Sequence, residues 1–129
     1  RVELSDINTL RSTLEQQPTN APLWSDLGRR EAVHGHRDDA LRCARKAMEL
    51  QPESLDAGLG PRHSASLAFV LAWTGDKDRA IAEYARLLRV ASTGLNVHEM
   101  KHHPAFAPLR GDPRFEALLN DPKNNAPLY

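Results

Sequence analysis

The chain has a single cysteine among 129 residues, Cys43, so no internal disulfide can staple it. A lone thiol suits a reducing compartment, which favours a cytoplasmic setting over a periplasmic one. Long apolar runs are missing as well. None approaches the ~18–20 residues that a spanning helix requires, so no membrane insertion is expected of this segment. Neither sign of charge is in excess: 17 basic side chains balance 17 acidic ones. No global field draws nucleic acid or an anionic surface, and nucleic acid is not an expected partner. No signal peptide is visible, and no segment reads as a strand. The sequence starts at Arg1 rather than Met, and we expect a fragment or processed product of a larger protein.

What is present is helical periodicity that repeats. "GHRDDALRCARKAMEL", from Gly35, and "GDKDRAIAEYARLLRV", from Gly75, both open with glycine and a charged turn. Each then carries alanine (Ala40, Ala80) followed by one apolar stripe: Leu41, Ala44, Ala47 and Met48 in the first, Ile81, Tyr84, Leu87 and Leu88 in the second. A helical segment precedes each glycine, "PLWSDLGRREAVH" and "ASLAFVLAWT". Each glycine thus marks a place where one helix ends and the chain reverses, a turn that favours a residue without Cβ. The unit is helix, tight turn, helix, used at least twice.

The flanks agree. "LSDINTLRSTLEQQP" shows Leu4, Ile7, Leu10 and Leu14 as a helical stripe closed by Pro18. Pro18 and Pro52 stand 34 residues apart, so the first helix reads as half of a truncated earlier unit. The turn glycines stand 40 apart, and "LDAGLG" at 55–60 is the natural insertion. After residue 92, "STGLNVHEMKHHP" supports a short helix at most, because Pro104 cannot continue one. "GDPRFEALLND" is a clearer helix, with Asp112 as N-cap, Pro113 in the first position and Phe115, Leu118 and Leu119 on one side. The tail "PKNNAPLY" reads as extended or loose.

The first full unit resembles a tetratricopeptide repeat on Trp24, Leu27, Gly28, Ala40, Ala47 and Pro52. Glu31 stands where that pattern usually has an aromatic, and Ala44 replaces another bulky residue. The second unit keeps Leu67, Ala80 and Tyr84 but has Ser64, Ala68 and Ser92 for the Trp, Gly and Pro. The resemblance implies an all-α fold, a right-handed superhelix of antiparallel helix pairs with a C-terminal capping segment. Its boundaries are a partial repeat helix (1–18), a repeat (21–54), the insertion (55–60), a second repeat (61–94), and cap with tail (95–129). "FAPLRGDPRFEALL" with "AWTGDKDRAIAEYARLL" is further similar to C-terminal repeat regions of bacterial signalling proteins. Those regions accompany winged-helix regulators, serine/threonine kinases or nucleotide cyclases. A second likeness, to the repeat domains of cytochrome c maturation factors, covers the N-terminal half, but those factors generally lack the "LRGDPRF" ending.

One short motif points elsewhere. "HEMKH" at 98–102 has the spacing of a zinc peptidase: His98 and His102 on one helical face with Glu99 beside them. One peptidase subclass continues with glycine and histidine where this chain has Ala105 and Pro108. Another completes the site with a glutamate, usually at least ~18 residues further on. Glu116 is only fourteen residues past His102, beyond two prolines. The alternative to a binding module is therefore a metal-binding or hydrolase-like site on His98, His102 and His103, while the favoured reading is a polar, partly exposed connector. His34 and His36 suit a helix C-terminus. Cys43 lacks an activating base and reads as an inert, buried thiol. His63 with Ser64 and Ser66 lacks an orienting acid.

Stacked helix pairs offer a face for an extended peptide or partner helix. Carried over by position from the repeat family, that face comprises Pro22, Ser25, Arg29, Ala32 and Val33, then Arg62, Ala65, Phe69, Ala72 and Trp73. Phe69 and Trp73 equally suit packing under the cap. Chaperone-binding members clamp a terminal carboxylate with lysine and asparagine; Ser25 and Arg29 occupy those places, so that specificity is not implied. The expectation is a non-enzymatic module without cofactor. Its partner would be a protein or peptide, including another domain of the same full-length chain.

Overall fold

The structure, a computed structural model, describes residues 4–56, 60–90 and 95–125. The middle of the expected insertion (57–59), the end of the expected second repeat (91–94, with Ser92) and the last four residues of the tail lie outside them, as does the side chain of Leu4. The elements are α1 (Leu4–Gln16), α2 (Ala21–Val33), α3 (Arg37–Leu50), α4 (Gly60–Trp73), α5 (Lys77–Leu87), α6 (Val97–His102) and α7 (Pro113–Asn120). Two 3-10 segments, Pro104–Leu109 and Pro122–Asn125, flank α7. Among the described residues the fold is all-helical, without strands.

Local chemistry sets the helix ends. Asn20, Asp76, Asn96 and Asp112 each accept a backbone N–H of the turn they open, satisfying donors that a helix start leaves orphaned. Gly35 (φ +81°) and Gly75 (φ +96°) close the two hairpins in the left-handed region. The N–H of His36 bonds to the Glu31 carbonyl at 2.9 Å, and that of Asp76 to the Leu71 carbonyl at 2.8 Å, the same six-residue closure in both turns.

Within the first hairpin, α2 and α3 touch backbone to backbone. A Cβ added at Gly28 would stand 3.2 Å from both the Ala40 carbonyl oxygen and the Ala44 nitrogen. Ala40 and Ala44 are fully buried, and Val70 of α4 joins them with Ala32, so the second hairpin packs directly on the first. α1 covers the other side, its Ile7 and Leu14 forming one buried cluster with Leu27 of α2 and Cys43 of α3. Trp24, one of the residues that carry the repeat resemblance, is only half-buried. It packs on the α1 cluster, and its indole N–H donates to the Pro18 carbonyl at 2.9 Å. Leu67 is likewise half-buried.

Glu31, in the place where an aromatic was expected, is 1% exposed. Its carboxylate accepts from Arg11 at 2.6 Å and pairs with His36 at 2.8 Å, so a charge is buried with both oxygens satisfied. The His36 ring thus serves the Glu31 carboxylate, while its backbone N–H closes the end of α2. Glu53 is held below the usual carboxylate range by Arg86 of α5 and by the Ser64 hydroxyl of α4, tying the segment after α3 to the second hairpin.

The largest cluster lies at the C-terminal end. Ile81, Tyr84 and Leu88 meet Phe106, Leu109, Phe115 and Leu119, with Leu118 partly buried beside them. Arg114 pairs with Asp112 and Asp78, and Arg110 donates to the His103 carbonyl. The start of the tail is ordered rather than loose. Asn124 donates to the Leu118 carbonyl, and Arg89 donates to the Lys123 carbonyl at 2.8 Å.

Candidate functional site

Because α4 packs beside α2, one row of side chains from each helix faces a shared surface. Three adjoining clefts run along it, and Arg29 lines all of them. The first, about 190 Å³, lies among Pro22, Ser25, Arg29, Arg62, His63 and Ser66. A second, about 200 Å³, is more apolar and includes Ala65, Phe69, Leu95 and Phe106. The third, about 420 Å³, lies between Val33, Asp26 and Arg30 on one side and Phe69, His103 and Ala105 on the other.

Five of the six expected partner-binding residues, Ser25, Arg29, Val33, Arg62 and Phe69, therefore line one continuous surface. Trp73 does not. Its indole N–H donates to the Ala105 carbonyl at 2.9 Å, which anchors the cap segment, and Phe69 stacks on it at 5.6 Å between ring centroids. Ala32 and Ala72 are buried in the helix packing.

Beneath the first cleft runs a hydrogen-bonded chain that no local pattern announced. The Ser25 hydroxyl lies 2.6 Å from His63 Nδ1, and His63 Nε2 lies 2.6 Å from the Gln51 amide oxygen. With Gln51 accepting, the neutral Nε2–H tautomer satisfies every atom: Ser25 donates to Nδ1 and Nε2 donates onward. Burial, helped by the Arg29 charge, lowers the His63 pKa from its ordinary 6.5 and keeps the ring neutral. The connectivity is that of a nucleophile relay. However, Ser25 is 3% exposed in mid-helix, where backbone amides are already bonded and cannot receive an oxyanion. The chain cross-braces α2, α4 and the end of α3. Sequence reading missed it because residues 38 positions apart meet only through helix packing.

Arg29 is held in place: its guanidinium donates to Ser66 Oγ at 2.6 Å and stands 3.5 Å from Asp26. Arg62 makes no side-chain hydrogen bond or ion pair with any described residue. A larger cleft, about 490 Å³, lies on the outer side of α3 beside Trp24. Its charges alternate between Arg42, Arg45, Lys46 and Asp38, Glu49, with no sign prevailing strongly. The α2–α4 face is the candidate site, because cations outnumber acids on it and its walls combine those cations with apolar rings.

The "HEMKH" segment forms α6 and orients by its apolar residues. Val97 and Met100 enter the cap cluster, while His98, Glu99 and His102 face outward. The His98 and His102 rings are neighbours, 4.9 Å between centroids. His103 has left the helix; its Nδ1 accepts the Ala105 N–H. Among the described residues, no group of three or more His, Cys, Asp or Glu side chains is placed to hold a metal ion.

Compared with known proteins, the chain matches no family model, no curated protein and no solved structure.

Proposed function

We propose that this chain is a non-enzymatic interaction module of the tetratricopeptide type, a short right-handed stack of helix hairpins that holds a protein or peptide partner on its α2–α4 face. The observation that carries this reading is the run of three clefts sharing Arg29, lined by five residues that repeat register assigns to partner contact. The equivalent turn closures 40 residues apart and the close approach at Gly28 support the repeat reading. By its resemblance, the module belongs at the C-terminal end of a larger bacterial regulatory protein, where it docks a partner or another domain of that protein.

Selection of random dodecamer peptides displayed on phage tests the reading. Binding of the selected peptides is expected to weaken at least tenfold in Val33→Glu and Phe69→Ala, while Arg45→Glu, on the outer side of α3, leaves it unchanged. Peptides that respond only to Arg45→Glu would move the site to the other cleft and overturn the proposal.

A further inference from the structure

The chain is electrically neutral, yet its cleft face is not. Among the residues lining the three clefts, Arg29, Arg30 and Arg62 oppose the single acid Asp26. Asp26 is already engaged, 3.2 Å from Arg30 and 3.5 Å from Arg29. Ser66 pins one edge of the Arg29 guanidinium, which reduces the ordering cost of a further contact. Arg62, exposed on the first turn of α4, has no partner among the described residues. The cleft between these two arginines, about 190 Å³, is small beside the 300 Å³ or more typical of a drug-sized ligand. It is the right scale for one carboxylate side chain.

Phe69 lines both of the more apolar clefts, on the same side of α4 as Arg62 and seven residues on. At 1.5 Å per residue this separation is about 10 Å. A peptide in polyproline II conformation rises about 3.1 Å per residue and returns to the same face every third residue, about 9 Å along. We infer that this face takes an acidic linear segment, one Asp or Glu side chain seated between Arg29 and Arg62 and an apolar side chain three residues away against Phe69. The inference rests on the groove reading above and names the chemistry of its partner. Both anchors come from side chains within the segment, so a free chain terminus is not required.

The test uses the phage-selected peptides, resynthesised with acetylated and amidated ends and titrated against the full chain by fluorescence anisotropy. Selected sequences are expected to be enriched in an acid and an apolar residue at a spacing of three. Replacing the acid by Asn, or Arg62 by Glu, should each weaken binding about tenfold. A peptide carrying Lys in place of the acid should regain affinity for Arg62→Glu, a charge exchange that a merely misfolded variant could not produce. Raising the salt from 50 to 500 mM should weaken the acidic peptides and leave the Asn peptides nearly unchanged. Peptides that lose binding in Phe69→Ala but show no acidic enrichment and ignore Arg62→Glu would overturn the inference and leave the groove reading intact. If no selected peptide responds to Val33→Glu or Phe69→Ala, the groove reading falls with it. A phosphoserine in the acidic position that binds more than tenfold better than Asp would reassign the anion site to phosphate and overturn the carboxylate assignment.

Discussion

Cys43 and His63 show how burial changes what a side chain can do. The Cys43 thiol is fully buried between α1 and the first hairpin, and burial pushes its pKa up to about 11. Almost no thiolate exists at neutral pH, so Ellman's reagent should label it only after urea unfolds the chain. Fast labelling of the native protein would mean that α1 does not cover it. His63 behaves in the opposite electrical sense. Folding lowers its pKa below 6.5, so the unfolded chain binds the proton more readily. The stability it contributes is fully present above about pH 6.5 and is lost as the pH falls toward the folded value. Urea melts at pH 7.5 and 5.5 should differ more for the native chain than for His63→Gln. Equal losses in both would show that the Ser25–His63–Gln51 chain does not govern this pH range.

The helices depend on small residues where they cross. Ala40 lies under Gly28, and Ala80 occupies the corresponding place 40 residues later in the second hairpin; both are fully buried. Replacing Ala80 by Leu should overpack the α4–α5 crossing and cost about 1–3 kcal/mol, read from the midpoint of a urea melt. An unchanged midpoint would mean that the hairpin tolerates a wider crossing than its counterpart. The C-terminal segment covers the apolar side of α5. Without residues 95–125, Ile81, Tyr84 and Leu88 would lose the aromatic and aliphatic cover of Phe106, Leu109, Phe115 and Leu119. Fully burying each such side chain is worth roughly 1.5–3 kcal/mol, a large share of a domain's usual ~5–15 kcal/mol. A chain ending at Val90 should therefore aggregate or unfold noncooperatively. A soluble monomer with a sharp melt would instead assign the C-terminal segment to recognition. The start of the tail contributes as well, since Lys123 and Asn124 are tied back to Arg89 and Leu118.

For the molecule as a whole, neutrality conceals an uneven distribution of charge. Equal numbers of acids and bases say nothing about where they gather, and the packing of α2 against α4 brings three arginines to one face with a single acid. Many charges on other faces find local partners, such as Arg42 with Asp39 and Arg86 with Glu83. Pairs of that exposed kind are each worth about 0–1 kcal/mol and do not organise the fold. On the α2–α4 face Asp26 pairs with both Arg29 and Arg30, while Arg62 has no partner among the described residues, so positive charge remains in excess where a complementary partner would bind.

The periodicity of apolar residues determined the helices, and the left-handed demand at Gly35 and Gly75 determined where the chain turns, because both are properties of a few neighbouring residues. Asp112 and Pro113 announced α7 for the same reason. The "HEMKH" spacing was also legible, but which side of α6 turns inward was decided by Val97 and Met100 finding the cap cluster. Trp24 and Glu31 depended on α1, which gives the indole its partial cover and supplies Arg11 to the buried carboxylate. The Ser25–His63 contact, the pinning of Arg29 by Ser66 and an Arg62 without a partner among the described residues arise where two helices meet. Each depends on how closely and at what angle two helices pack, a quantity that no local run of sequence carries and that only the packed core sets.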